Sequence, residues 1–249
     1  MYSAKRKYNI IYADPPWKYD RKIGQGVAEG HYHTMDIEDI CSLPVGAIAA
    51  DDCVLFLWVT FPFLTKGLLV MERWGFCYQT CGFNWVKRNK KADTFYFGLG
   101  FWTRSCSEIC ILGTKGRPER VSANVPQVCD ARIMEHSKKP DEIRERIVEL
   151  CGDLPRIELF ARQKYEGWDC LGDEIDGKDI RKSILEVKMC GAFGDHIRQS
   201  PNAPLAVKKR LCHTHSTKLL GGALYDQVLA VHARLQVLSQ RIQSPFRFL

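Results

Sequence analysis

A chain of 249 residues with 45% apolar and 26% charged side chains carries enough apolar surface for one substantial core, which excludes a purely disordered segment. No apolar run reaches the roughly eighteen residues that a membrane helix needs, and Met1 to Lys5 lead straight into a strand-like segment, so neither a membrane span nor a signal peptide is expected. The formal net charge of +7 suits a polyanionic partner without requiring one.

In chain order, Asn9 to Ala13 is too short for a free-standing helix and rich in β-branched and aromatic residues, which predicts a buried strand. It stops on Asp14-Pro15-Pro16-Trp17. The two prolines fix their own φ, donate no N–H and extend the residue before each of them, so the backbone after the strand is stiff. Asp14 and the carbonyls of Ala13 and Pro15 then form a convergent set of acceptors, with the Trp17 indole as a flat face beside them. Such a set suits a planar ring carrying an exocyclic amine, adenine above all. The alternative is a plain turn whose aromatic closes the core.

Gly24 to His33 reads as a glycine-rich loop following that turn, with Tyr32 at its tip, placed to close over a substrate. Thr34 or Asp36 should cap a short helix burying Ile37 and Ile40. Asp51-Asp52 precede Cys53 to Val59, a continuous apolar run expected to be buried on both faces. Leu64, Leu68, Met71 and Trp74 follow at helical spacing, and Gly75 ends that helix. Phe76 to Trp85 and Glu108 to Gly113 are the next two strands. Between them lie Lys87, Arg88, Lys90 and Lys91, then the aromatic segment Phe95 to Trp102, then Arg104. Cations beside clustered aromatics suit phosphates and unpaired bases, although a charge run alone is usually a solvated loop.

Pro140 opens a helix with acids after it, and Ile143, Ile147 and Leu150 form its buried stripe. Arg156 to Arg162 is a strand ending in polar residues, and Trp168 to Glu174 holds a short one after it. Strands alternating with helices predict an α/β fold with a mostly parallel, doubly wound sheet. Ligands of such sheets bind at the carboxyl ends of strands, where Asp14 and Glu158 fall and where a carboxylate can hold the two hydroxyls of a ribose. No Gly-x-Gly-x-x-Gly follows any strand, against an ordinary dinucleotide site.

The eleven cysteines are scattered and mostly embedded in apolar runs, as reduced thiols of an intracellular compartment, cytoplasmic or nuclear, would be. No Cys-x-x-Cys pair occurs, and no metal site is expected. Beyond about Lys178 the character changes. Ser200 to Pro204 looks like a linker, Lys208-Lys209-Arg210 is a small basic patch, and Leu224, Val228, Val231, Leu235, Leu238 and Ile242 recur at heptad spacing. That seam reads as packing against the domain or as a homo- or heterodimer contact.

Asp14-Pro15-Pro16-Trp17 after an apolar strand resembles the signature of the MT-A70-type N(6)-adenine methyltransferases. The resemblance continues through Phe56 to Val59, Glu108 with Gly113 to Gly116, His136 to Asp141, Ile157 to Arg162, Gly167-Trp168 and Leu171-Gly172. It covers the first strand to about Gly177, so residues 1–177 are expected to be the catalytic domain and 178–249 a partly helical extension. The resemblance implies a Rossmann-like S-adenosylmethionine-dependent fold in which the catalytic motif precedes the cofactor motif, a circular rearrangement. It implies that Asp14 and the Pro15 carbonyl bind the target amine, with Pro16 and Trp17 completing the motif and Trp17 bordering the base. S-adenosylmethionine would contact Asp14, Lys139, Glu158 and Arg162, with Asp173 and Glu174 at a pair that is commonly Asn followed by Gln or Glu. Asp173 departs from that pattern. Tyr32, Lys87, Arg88, Lys90, Lys91, Trp102 and Arg104 are then the candidates for contacting nucleic acid. The family's eukaryotic RNA writers bring zinc fingers or long disordered arms, which this sequence lacks, so DNA is the expected substrate and RNA its close rival. A non-catalytic binding subunit is the third reading.

Overall fold

Side chains of β1 (Tyr8–Ala13) alternate between two buried clusters, Ile11 and Ala13 in one, Ile10 and Tyr12 in the other. β2 (Ala49–Val59) does the same, with Leu55, Leu57 and Val59 on one side and Val54, Phe56 and Trp58 on the other. Ile10 to Ala13 and Cys53 to Val59 read as unbroken apolar runs because both faces are covered there. One cluster takes in Ile40 of α1 (Ile37–Cys41), Val70 and Met71 of α2 (Leu64–Arg73), and Ile180 and Ile184 of α5 (Ile180–Met189). The other takes in Ile143, Ile147 and Cys151 of α3 (Glu142–Cys151). This computed structural model describes residues 7–18, 34–100, 102–135 and 138–189.

The remaining strands are β3 (Cys77–Arg88), β4 (Ser107–Lys115), β5 (Val128–Arg132), β6 (Arg156–Leu159) and β7 (Asp169–Leu171), with the short α4 (Asp173–Asp176) after them. They form one seven-stranded sheet in the order β5-β3-β4-β2-β1-β6-β7. β4 runs antiparallel to both neighbours and every other pair is parallel. A mostly parallel sheet with apolar helix faces packed on both sides is the doubly wound, Rossmann-like class expected.

Several local expectations are corrected. β2 starts at Ala49, so Asp51 and Asp52 lie inside it; they are exposed, the Asp52 carbonyl accepts from Asn9 Nδ2, and Asp52 Oδ1 accepts the Arg117 N–H at 2.7 Å. β3 runs on to Arg88 and takes Lys87 and Arg88 out of the loop, because β5 pairs with them along its edge. β5 itself has no apolar signature, since Cys129 is its one buried side chain. Asp36 stands at the N-cap of α1 without a side-chain bond to the helix and pairs with Lys18 instead. The 24–33 loop with Tyr32, residues His136 and Ser137, and the linker, basic patch and heptad seam of the tail lie outside the described residues.

The end of β6 is shaped by two unusual backbones. Phe160 has φ +62°, a left-handed conformation that a non-glycine residue holds only when its surroundings impose it, at a cost of about 1–3 kcal/mol. Beside it, Gly172 lets β7 close on the chain after β6: a Cβ there would lie 2.1 Å from the Ala161 carbonyl oxygen. Gly172→Ala is therefore expected to destabilise the protein by about 1–3 kcal/mol through overpacking, read as a lower urea midpoint at unchanged slope.

Candidate active site

β1 lies between β2 and β6, and the chain leaves it first towards β2 and only later returns to β6 on its other side. That reversal opens a crevice at the carboxyl ends of the strands. Ala13 pairs with Leu159, so the residues that follow, Asp14 and Phe160, emerge side by side at the crevice. The Asp-Pro-Pro-Trp turn is braced internally. The Trp17 N–H donates to the Pro15 carbonyl at 2.9 Å and the Met35 N–H to the Pro16 carbonyl at 2.9 Å. The Pro15 carbonyl thus keeps one lone pair for a further donor.

Trp17 is placed differently from expectation. Its side chain is 7% exposed, its indole N–H donates to the Trp58 carbonyl at 3.1 Å, and its ring packs against Phe63 within the core. Anchoring the stiff turn to the sheet occupies the indole, so an open stacking face is corrected to a brace.

Four charged side chains from distant parts of the chain alternate in sign at this edge. Lys139 Nζ lies 2.7 Å from Asp14 Oδ2 and 3.4 Å from Glu108 Oε2, and Glu108 also pairs with Lys87. Antiparallel β4 brings this about: its first residues lie level with the carboxyl ends of β2 and β3, with Val59 opposite Ile109 and Trp85 opposite Glu108. Lys139 is 9% exposed, and its ammonium lies over the Trp58 ring. Burial would discharge it, yet the flanking Asp14 and Glu108 carboxylates hold it protonated above its ordinary range. Burial likewise raises the carboxyl of Glu108, but Lys139 and Lys87 outweigh it and hold that group below the usual carboxylate range. Asp14 has a single cation at bonding distance; burial dominates there and its carboxyl is raised. Among the described residues Asp14 bonds through Oδ2 alone.

The other end of the crevice is a small, partly open cleft of about 110 Å³. Its walls include Asp14, Lys139, Glu158, Phe160, Arg162 and Glu174. Glu158 sits opposite Tyr12 in the sheet, and both its oxygens already accept from Arg144, at 2.7 Å each. Burial raises its carboxyl and the Arg144 guanidinium opposes that rise. Each oxygen keeps a further lone pair, so a carboxylate already held by Arg144 stands where one was expected to hold a ribose. Arg162 Nε donates to Glu174 Oε1 at 2.9 Å, joining two of the expected residues across the cleft. Asp173 stands apart: it does not line the cleft, and its Oδ1 accepts the Glu174 N–H at 3.0 Å.

The expected nucleic-acid residues divide into two groups. Lys87 belongs to the row of paired charges, and Arg88 grips Asp130 with two bonds of 2.7 Å, so neither projects as an open phosphate contact. Lys90 and Lys91 are exposed, Trp102 is 100% exposed, and Arg104 is exposed with its guanidinium over the Phe97 ring. The segment that carries them is tied down by Asn89 N–H to Thr94 O, Tyr96 N–H to Lys87 O and Gly98 N–H to Ser105 O. Phe95, Tyr96, Phe97 and Leu99 are exposed on it as well.

The family model described as MT-A70 matches residues 8–174. The chain belongs to the MT-A70 family. The type II methyltransferase M.MunI of Mycoplasma sp is 34% identical over 196 residues, covering 71% of this chain and 81% of that protein. The human N(6)-adenosine-methyltransferase catalytic subunit METTL3 is 30% identical over 201 residues, 78% of this chain and 33% of that protein. An Arabidopsis thaliana protein named N(6)-adenosine-methyltransferase MT-A70-like is 29% identical, over 80% of this chain and 28% of its own length. The chain thus spans about a third or less of these plant and animal relatives and most of the Mycoplasma one.

Two residues of this MT-A70 site had no role assigned from sequence. Glu108 carried only motif resemblance, since nothing local shows that it will face Lys139. Arg144 sits one residue past Ile143 on α3, at the border of the buried stripe, which is the single sequence signal that it turns inward. Because the folded state holds Glu108 below its unfolded pKa, its contribution to stability is present above about pH 4.3 and disappears as the pH falls below that value. Urea unfolding of Glu108→Gln should accordingly show a deficit against wild type at neutral pH that closes in acid.

Proposed function

We propose that this chain transfers the methyl group of S-adenosylmethionine to the exocyclic amine of adenine in a nucleic acid, DNA first and RNA as the close alternative. The observation that carries the reading is Asp14, a half-buried carboxylate with one oxygen pinned by Lys139, at the mouth of a cleft lined by cations, carboxylates and rings. The cleft residues fit the cofactor: paired cations and carboxylates for a zwitterionic amino acid and a ribose, and Phe160 and Tyr165 for apolar contact. Glu158, Arg162 and Glu174 would hold it at the β6 end and Lys139 near Asp14. Bound there, S-adenosylmethionine supplies a methyl group on a cationic sulfur.

An adenine amine is a poor nucleophile because its lone pair is delocalised into the ring. Asp14 Oδ1 and the remaining lone pair of the Pro15 carbonyl accept its two N–H bonds and favour a pyramidal nitrogen aimed at the methyl carbon. With S-adenosylmethionine held there, methyl transfer would form the N–C bond as the C–S bond breaks, release S-adenosylhomocysteine, and leave a cationic product nitrogen whose proton passes to solvent water. Asp14 therefore serves as an orienting acceptor, and a strong base is unnecessary. Lys139 restrains its other oxygen.

The exposed Lys90, Lys91, Trp102 and Arg104 are the proposed nucleic-acid contacts, cations for phosphates and rings for unstacked bases. A duplex adenine must leave its stack to enter such a site. Cover of most of M.MunI, named a type II methyltransferase, supports the DNA arm, and the relatives named N(6)-adenosine-methyltransferases support the RNA arm.

The test is incubation with labelled S-adenosylmethionine and matched DNA and RNA oligonucleotides, followed by nucleoside mass analysis; N(6)-methyladenine from neither overturns the proposal. Asp14→Ala should keep the fold and cofactor binding while turnover falls by about two to three orders of magnitude or more. Wild-type turnover should be lost as the pH drops through a carboxyl pKa above the ordinary aspartate value of about 3.9, because burial raises Asp14 and only the ionised form accepts the amine. Trp102→Ala should weaken single-strand binding by about 1–3 kcal/mol, whereas Lys90→Ala with Lys91→Ala should chiefly flatten the dependence of binding on salt.

A further inference from the structure

Arg144 lies outside every motif that carries the family resemblance, yet it is 8% exposed and its guanidinium is engaged on every side. Nε and Nη2 grip the two oxygens of Glu158 at 2.7 Å. Nη1 donates to Asp141 Oδ1 at 3.1 Å, which also accepts the Tyr165 hydroxyl at 3.0 Å. The Tyr165 ring covers one face of the guanidinium at 3.4 Å, and the Tyr12 ring lies at 5.3 Å. This clamp ties α3 to β6 and to the loop bearing Arg162, around the cleft that Arg144 and Glu158 both line.

We infer that Arg144 is a positioning residue for the cofactor, fixing Glu158 in one orientation and in its ionised form so that the outer lone pairs of its carboxylate receive the vicinal hydroxyls of the ribose. The planar fork is what makes this work. It takes one lone pair from each oxygen in a fixed plane and leaves the other on each oxygen as an acceptor. A lysine would supply charge without that plane. Glu158 also lies near Asp14 and Tyr12 from β1, Asp141 and Tyr165, and Cys170 from β7; Arg144 is the cation bonded to it. Without Arg144, a buried carboxyl flanked by two acids and polarisable rings keeps its proton to higher pH than with it, and a protonated Glu158 offers hydroxyl oxygens a poorer acceptor.

This inference rests on the reading that the cleft takes S-adenosylmethionine, and titration calorimetry with that cofactor separates the two. Wild type, Arg144→Met, Arg144→Lys and the double variant Arg144→Met with Glu158→Gln are titrated between about pH 6 and 8.5, where an ordinary glutamate stays ionised. Wild type should bind with a flat profile. Arg144→Met should bind about ten- to a hundred-fold more weakly, increasingly so as the pH falls. Arg144→Lys should keep the flat profile with weaker binding, which a merely structural tie between α3 and β6 would not produce, and it carries the test if the methionine variant fails to fold. The double variant should lose the pH dependence. No binding by wild type overturns the cofactor reading and this inference with it. Tight wild-type binding with a flat Arg144→Met profile, or an Arg144→Lys variant that binds as wild type does, overturns the inference alone.

Discussion

The arrangement on which the site depends is the alternating row Lys87, Glu108, Lys139, Asp14. Each inner member sits between two opposite charges, so a buried ammonium and a half-buried carboxylate that would separately be costly keep their charge because of their neighbours. The outer members differ. Lys87 ends the row against the Trp85 ring, while Asp14 ends it at the crevice with one oxygen pinned. An acceptor held by a cation on one side and presented on the other is preorganised, and preorganisation is what a reaction of a weak nucleophile needs from a protein.

A second, separate clamp governs the opposite end of the cleft. Arg144 neutralises Glu158 much as Lys139 neutralises Asp14, and both cations come from the same short stretch, the approach to α3 and its first turn. The helix therefore sets two carboxylates on neighbouring strands in relation to each other. Its own apolar stripe, Ile143 and Ile147 against Tyr12 and Trp58, fixes where those cations fall, so packing on that face of the sheet and geometry in the cleft are coupled. The left-handed Phe160 belongs to the same device, since it turns the chain sharply where β6 must stop for the cleft to open.

Away from the crevice the molecule offers a different kind of surface. The 89–106 segment is held by backbone bonds to β3 and to itself while leaving aromatic faces in water, some of them under arginine. Exposed rings without a core to join are costly to keep in solvent unless another flat surface covers them. This is the surface proposed above to contact nucleic acid.

Much of the fold was legible in the sequence because its signals are local. Apolar runs of strand length, helical spacing in α2 and α3 and the Asp-Pro-Pro-Trp stop each depend on a few adjacent residues, and together they predicted a doubly wound sheet with an acid at the end of its first strand. Three things required the tertiary structure. The reversal of β4 carries no local mark, and without it Glu108 would not meet Lys139. β5 lacks an apolar pattern because it lies at the sheet's edge, so its pairing, and with it the capture of Arg88 by Asp130, arises only once β3 is in place. Whether a given charge or indole faces cleft or core is decided by the partner that reaches it: Trp58 takes Trp17 into the interior, while Arg144 holds Glu158 in the cleft wall. Chain chemistry by itself named the groups; only long-range contact energy determined which of them were left to act.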